Sequence, residues 1–250
     1  MNHKEYIKIA PGADIVILFI HGIIGTPDHF DEFISLVPDS ISVYNILLDG
    51  HGKTPKDFSA TSMQKWREQV DSVIEELSLT HKKIFIVAHS MGTLFAMEQA
   101  TKRSNIKELF LLAAPLKLFI KPRMFINSGK VYLNHIKDDD AEALASKACY
   151  GIGSDKNPFH YVGWLPRYFE LFAEIKRTRK TAEGLSVPCT AYQSHKDEMV
   201  SRHAANYLEK NNTTSIKWLK NSGHYYYRED DRKYLMNEFG SFVEKIQNLS

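Results

Sequence analysis

Cysteine is scarce in this chain: Cys149 and Cys189 are the only two among 250 residues. A disulfide framework therefore does not hold the protein together. With no secretory leader in view, both thiols are expected to be free, in a reducing cytoplasmic setting. Met1 to Ala10 has no apolar core of the kind a leader needs. The sequons at Asn211, Asn212 and Asn248 are then expected to go unused. Long hydrophobic runs are missing as well. Ile15 to Ile20 falls far short of the roughly 20 apolar residues that cross a bilayer, so no transmembrane segment is expected. Charge of one sign is not in excess either. Lys and Arg number 32 against 30 Asp and Glu, a formal net charge of +2. That balance gives no reason to expect nucleic acid or an anionic membrane as a partner. At 43% hydrophobic and 25% charged, the chain has an ordinary globular composition, long enough for one sizeable core with an insertion.

What is present centres on Lys83 to Met97. Lys83 to Ala88 is a short run rich in Ile, Val and Phe, suited to a buried parallel strand. From Met91 onward the apolar spacing turns helical. Ala88-His89-Ser90-Met91-Gly92 therefore reads as a sharp strand–serine–helix corner, a nucleophile elbow with Ala in place of the first Gly. Only small residues fit two positions either side of such a serine, and Ala88 and Gly92 are small. The competing reading, a serine that merely caps a helix, has no need of both.

Around this corner the chain alternates. Tyr6 to Ile9 suits an edge strand and Asp14 to Ile20 a buried one. A helix is expected from Pro27 to about Val37. Ile41 to Leu47 is a strand, Thr61 to Leu79 a helix, and Ile106 to Ala113 a strand. The pattern predicts an α/β class fold: a doubly wound, mostly parallel sheet. It then breaks off. Leu116 to Gly184 has no strong strand, and helical spacing recurs near Ala141 to Ala148 and Pro166 to Lys180. This stretch is expected to form a small helical cap over the serine, at the strand ends where open α/β sheets bind ligands. Residues 1–115 and 185–250 form the core and 116–184 the insertion. Cap aromatics, Phe159 and Trp164 among them, are candidates for an apolar substrate wall. Arg177, Arg179 and Lys180 are expected to be solvated at a helix end. Strands resume at Val187 to Gln193 and Ser215 to Leu219, with a helix from Ser201 to Lys210 between them and a final helix from Asp230 to Leu249.

Serine needs a base, and the base needs an orienting carboxylate. In this type of sheet the order along the chain is serine, acid, histidine. Asp197 follows one late strand and His224 follows the next, so Ser90, Asp197 and His224 are the candidate set. Glu198 is the alternative acid. His21-Gly22-Ile23-Ile24-Gly25 follows a buried strand and can turn a backbone N–H toward a ligand. Ile23 and Met91 are the candidate oxyanion-hole amides. Gly52-Lys53-Thr54 is not a phosphate loop, because Leu47 stands where the first glycine would fall.

Phe19-Ile20-His21-Gly22 with Gly25-Thr26, Gly50-His51-Gly52, the Ala88 to Gly92 corner, Lys196-Asp197-Glu198-Met199-Val200 and Ser222-Gly223-His224 together resemble the α/β-hydrolase superfamily. Within it the likeness is to bacterial carboxylesterases and monoacylglycerol lipases. The resemblance implies Ser90 as nucleophile, Asp197 as acid, His224 as base, a small helical cap and no cofactor or metal. Thr93 departs from the pattern, standing where many relatives have a second glycine. The expected activity is hydrolysis of short to medium acyl esters, monoacylglycerol among them. Two alternatives use the same residues differently: cleavage of a thioester, amide or carbon–carbon bond, and a non-catalytic binder that kept the fold. Dehalogenation is disfavoured, since that chemistry on this fold uses Asp where Ser90 stands.

Overall fold

The computed structural model describes residues 3–133, 135–155 and 157–249. Among them, seven strands form one sheet: β1 (Tyr6–Lys8), β2 (Ile15–Ile20), β3 (Ser42–Ile46), β4 (Lys83–His89), β5 (Ile106–Leu112), β6 (Cys189–Ser194) and β7 (Thr214–Leu219). Their spatial order is β1-β3-β2-β4-β5-β6-β7. The edge strand β1 runs antiparallel to β3, and the other pairings are parallel. The helices are α1 (Asp31–Ile34), α2 (Pro55–Ser59), α3 (Met63–Thr80), α4 (Met91–Lys102), α5 (Pro122–Tyr132), α6 (Ala141–Cys149), α7 (Trp164–Glu183), α8 (Ala205–Leu208) and α9 (Glu229–Gln247).

The central strands are apolar on both faces because helices cover both. In β2, Val16, Leu18 and Ile20 join the core under α3, α4 and α7. Ile15, Ile17 and Phe19 join the core under α1 and α9. This is the two-residue alternation of a strand. On α3 the buried residues Trp66, Val70, Val73, Ile74 and Leu77 recur at helical spacing, and Ser62 caps the helix by accepting from Lys65 N at 3.1 Å. The chain leaves β2 toward β3 on one side and returns to β4 on the other. The ends of β2 and β4 are therefore adjacent, with Ile20 opposite Ala88, and a crevice opens there.

Four expectations need correcting. The expected helix from Pro27 opens as a 3-10 turn, Pro27–Phe30, before α1. Pro38 disfavours helical geometry at Val37, which ends the element early. Ser201 to Lys210 is likewise a 3-10 turn, Arg202–Ala204, followed by the short α8. The insertion holds a helix that spacing did not reveal, α5. Its pattern was hidden because Phe125 and Ile126 are exposed and Asn127 is the residue it buries. Finally, Arg177 and Arg179 are not simply solvated. Arg177 binds Glu98 of α4 and Glu174 of α7, and Arg67 of α3 reaches both carboxylates. Buried Glu98 and Glu174 require such partners. Arg179 Nε donates to Leu116 O at 2.7 Å. α7 is therefore locked onto the core helices.

Candidate active site

The corner after β4 has the geometry its residues suggest. Ser90 sits at φ 51°, ψ −123°, in the left-handed half of φ where a side chain is strained. Surrounding packing holds it there. Ser90 N donates to Leu112 O at 2.9 Å, and a Cβ on Gly92 would collide with the Ile20 carbonyl oxygen. Gly22 is equally constrained, since a Cβ there would meet Ser90 Cβ. Thr93 packs without disturbing the corner. Its hydroxyl donates to Ser90 O at 2.7 Å.

The loop after β2 is built around His21. Its Nε2 accepts from Leu48 N at 3.1 Å, which leaves Nδ1–H to donate to Gly22 O at 2.9 Å. Gly25 N closes the turn onto Gly22 O at 3.0 Å. The inserted segment docks on this loop through Gly151 N, which donates to Ile24 O at 2.7 Å. The backbone N–H groups of Ile23 and Met91 find no acceptor among the described residues. Met91 is the first residue of α4, where the positive end of the helix dipole lies.

Ser90, His224 and Asp197 are brought together. Ser90 Oγ donates to His224 Nε2 at 3.1 Å, and His224 Nδ1 donates to Asp197 Oδ2 at 2.9 Å. The other carboxylate oxygen of Asp197 accepts from the Met199 and Val200 amides, both at 2.7 Å. Glu198 has a different task. Its Oε2 accepts from the His224 backbone N–H at 2.9 Å and does not reach the ring. Burial alone would push the His224 pKa down. The Asp197 charge and hydrogen bond outweigh it, so the ring is held above the ordinary histidine value. Asp231 on α9 steadies the same loop, accepting from Lys220 N, Asn221 N and Ser222 Oγ at 2.7–3.0 Å. No sequence pattern pointed to Asp231.

Ser90, Ile23 and His224 face a cavity of about 290 Å³. Its walls are apolar and come mostly from residues 116–184 and the loop that carries Asp197, including Leu118, Met124, Tyr132, Trp164, Leu171 and Val200. Trp164 is one of the two aromatics singled out above. It is 7% exposed and donates from Nε1 to Pro55 O at 3.1 Å. Phe159 is a correction: it is 80% exposed and absent from the cavity wall. It lies on the 3-10 turn Pro158–Tyr161, where positions three apart share a face. Phe159 and Val162 thus both face solvent, while Tyr161 turns inward against Trp164 and Tyr132.

Behind His224 lies a stack of imidazoles that sequence spacing does not reveal. His29 and His89 have ring centroids 4.1 Å apart, and His89 lies 4.8 Å from His224. His89 Nε2 donates to His224 O at 3.0 Å, and His29 Nδ1 meets Cys149 Sγ at 3.3 Å. Both cysteines are buried free thiols, and burial pushes Cys149 up to about 12. Burial holds His29 down at about 3 and His51 at about 4, with His21 and His89 also well below the ordinary value. Unfolded, each would take up a proton near pH 6.5, so below that pH the unfolded state binds more protons than the folded one. His224 has the opposite shift and acts above pH 6.5. Stability is therefore expected to fall as pH drops from about 6.5 toward 4, by up to about 1.4 kcal/mol per pH unit for each such ring. Urea midpoints at pH 6.5 and 5.0, neither of them in the range above pH 6.5 where His224 contributes a change, check this. Equal midpoints would mean the rings are not held neutral.

A model of the alpha/beta hydrolase family matches residues 17–235. The chain belongs to that family. Among curated proteins it resembles the probable lysophospholipase BODYGUARD 3 of Arabidopsis thaliana, 37% identical over 142 residues. That match covers 50% of this chain but 28% of the plant protein, so the chain spans well under two thirds of that relative. A structure from the metagenome-derived lipolytic enzymes LipS and LipT superposes with a TM-score of 0.73 at 16% identity, covering 98% of each chain. The monoacylglycerol lipase of Paleococcus ferrophilus superposes at 0.68 with 18% identity, covering 98% of this chain and 99% of its own. At these identities the two structures establish the fold of this hydrolase. No helix among the described residues is long and apolar enough to cross a membrane.

Proposed function

We propose that this hydrolase cleaves carboxylic esters of short to medium acyl chains, monoacylglycerols among them, through an acyl-enzyme on Ser90. The observation that carries the reading is the line from Ser90 Oγ to His224 to Asp197, at 3.1 and 2.9 Å, opening onto an apolar cavity. His224 Nε2 takes the Ser90 proton as Oγ attacks the ester carbonyl. The oxyanion is held by the Ile23 and Met91 amides, which have no acceptor of their own among the described residues. His224 returns its proton to the leaving alcohol, then activates the water that frees the acid. A thioester or amide with the same acyl chain would pass through the same steps, and kcat/KM for matched ester, thioester and amide substrates separates them. A binding protein would have no use for a strained serine aligned with a histidine and a carboxylate. A fluorophosphonate probe with a p-nitrophenyl ester series tests the reading. Absence of both labelling and turnover would leave only the binder.

In this reading residues 116–184 are the cap and supply the acyl wall. At about 30 Å³ for a group the size of water, the cavity has room for roughly ten heavy atoms. Each added methylene should raise kcat/KM roughly fourfold until that space is full, at about 0.8 kcal/mol per buried CH₂. Trp164→Ala is expected to shift the optimum to longer chains more than it slows acetyl turnover. Phe159→Ala, outside the wall, is expected to leave the length profile unchanged. Measuring kcat/KM from acetyl to dodecanoyl esters on parent and both variants decides it. Proportional loss at all lengths in Trp164→Ala would remove the cap from the acyl wall.

A further inference from the structure

Beside the acyl cavity lies a second cleft of about 640 Å³ with a different chemistry. Residues 117–121 and 198–201 pair as a short antiparallel ribbon. Phe119 N donates to Met199 O at 3.0 Å, Lys121 N to Glu198 O at 2.8 Å and Ser201 N to Lys117 O at 2.8 Å. Side chains along such a ribbon alternate between its faces. Ile120 lines the acyl cavity, Lys117, Phe119 and Lys121 line the cleft, and Leu118 and Val200 form the shared wall between the two. Lys196 and Arg202 complete its cationic side. No carboxylate lines the cleft, and none of these four cations makes an ion pair with a described residue. On a protein of net charge +2 this is a strong local concentration of one sign.

We infer that this cleft is a subsite for an anionic, phosphate-bearing alcohol half of the ester substrate. The inference rests on the ester-hydrolase reading above and adds the substrate's charged end. Ile120, Phe125 and Phe172 are the exposed apolar residues of the acyl-cavity wall, and Lys121 follows Ile120 directly on the ribbon's other face. An ester with its acyl chain in the cavity and its carbonyl at Ser90 sends its alcohol half out beside Ile120, toward the cations. Four unpaired cations suit the several acceptor oxygens and higher charge of a phosphate better than a single carboxylate.

The test compares monoacylglycerol with the same lipid carrying a phosphate on its glycerol, below micellar concentration and at low salt. Parent protein is expected to favour the phosphate-bearing ester in kcat/KM. In Lys117→Glu/Arg202→Glu that preference should fall about tenfold, the combined size of two surface charge contacts. An absent preference, or one that survives the double variant, overturns the subsite. Glycerol 3-phosphate binding, followed by thermal shift and calorimetry, needs no turnover. Binding by the parent and loss in the variant support the subsite even if no ester is cleaved, and no binding by the parent overturns it. Inorganic phosphate that binds as tightly as glycerol 3-phosphate would reduce the cleft to a bare anion site and overturn the headgroup assignment. Phosphatidylglycerol vesicles provide the last arm. Loss of vesicle binding in the variant with an unchanged ester preference would make the face a membrane patch and overturn the proposal.

Discussion

Ser90→Ala is expected to abolish ester turnover, by about a millionfold in kcat if the serine acts as nucleophile in the manner of a protease triad. The change removes one oxygen and little else. Alanine keeps the Cβ that packs against Gly22 and meets the same strain at φ 51° that serine already bears. The Oγ has His224 Nε2 as its hydrogen-bond partner, so the loss leaves that ring nitrogen facing the cavity, which solvent can reach. The melting temperature should therefore stay within a few degrees of the parent, while labelling by a fluorophosphonate disappears. Residual rate would come from the oxyanion amides and binding alone. Turnover within a hundredfold of the parent, in protein free of contaminating esterase, would remove Ser90 from the chemistry and with it the acyl-enzyme.

Much of this arrangement is legible in the sequence, and the reason is local. The sharp corner at Ser90 imposes small residues at fixed offsets, and β4 and α4 announce themselves by runs with two different periods. Strand, helix and strand in alternation then dictate a parallel sheet, and a parallel sheet puts Asp197 and His224 at the same edge as Ser90. The choice between Asp197 and Glu198 was open in sequence, because neighbouring residues differ only in which way the loop turns them. Packing also lay outside what one sequence displays. Phe159 and Trp164 look alike as aromatics five residues apart, yet a 3-10 turn sends one to solvent and the start of a helix sends the other inward. Arg177 looks like a helix-end cation until Glu98, 79 residues away, is brought beneath it. The same holds for the imidazole stack. His29, His89 and His224 have no shared spacing, and only the sheet's switch point brings them together.

Asp197→Asn carries the second largest expected effect, a loss of about four orders of magnitude in kcat. The hydrogen bonds around it dictate why. One side-chain oxygen must continue to accept from the Met199 and Val200 amides, so the asparagine carbonyl will take that side. Its NH₂ then faces His224 Nδ1, which must become an acceptor, and the ring proton moves to Nε2. A histidine in that tautomer cannot take the Ser90 proton. The substitution also removes the charge that holds the His224 pKa above its ordinary value. His224 must be neutral to act as base, so activity is lost as pH falls through its pKa. The acid limb of kcat/KM in the parent should accordingly lie above pH 6.5, and in Asp197→Asn the residual activity should show that limb at lower pH. Glu198→Gln provides the contrast. Its amide oxygen can still accept the His224 backbone N–H, so the ring keeps its tautomer and only a more distant charge is lost. A drop of less than about tenfold is expected there, the size of a weak charge–charge contribution. If Glu198→Gln proved the crippling change and Asp197→Asn the mild one, the carboxylate that orients the base would be Glu198, and the loop after β6 would have to turn one residue further in solution than it does here.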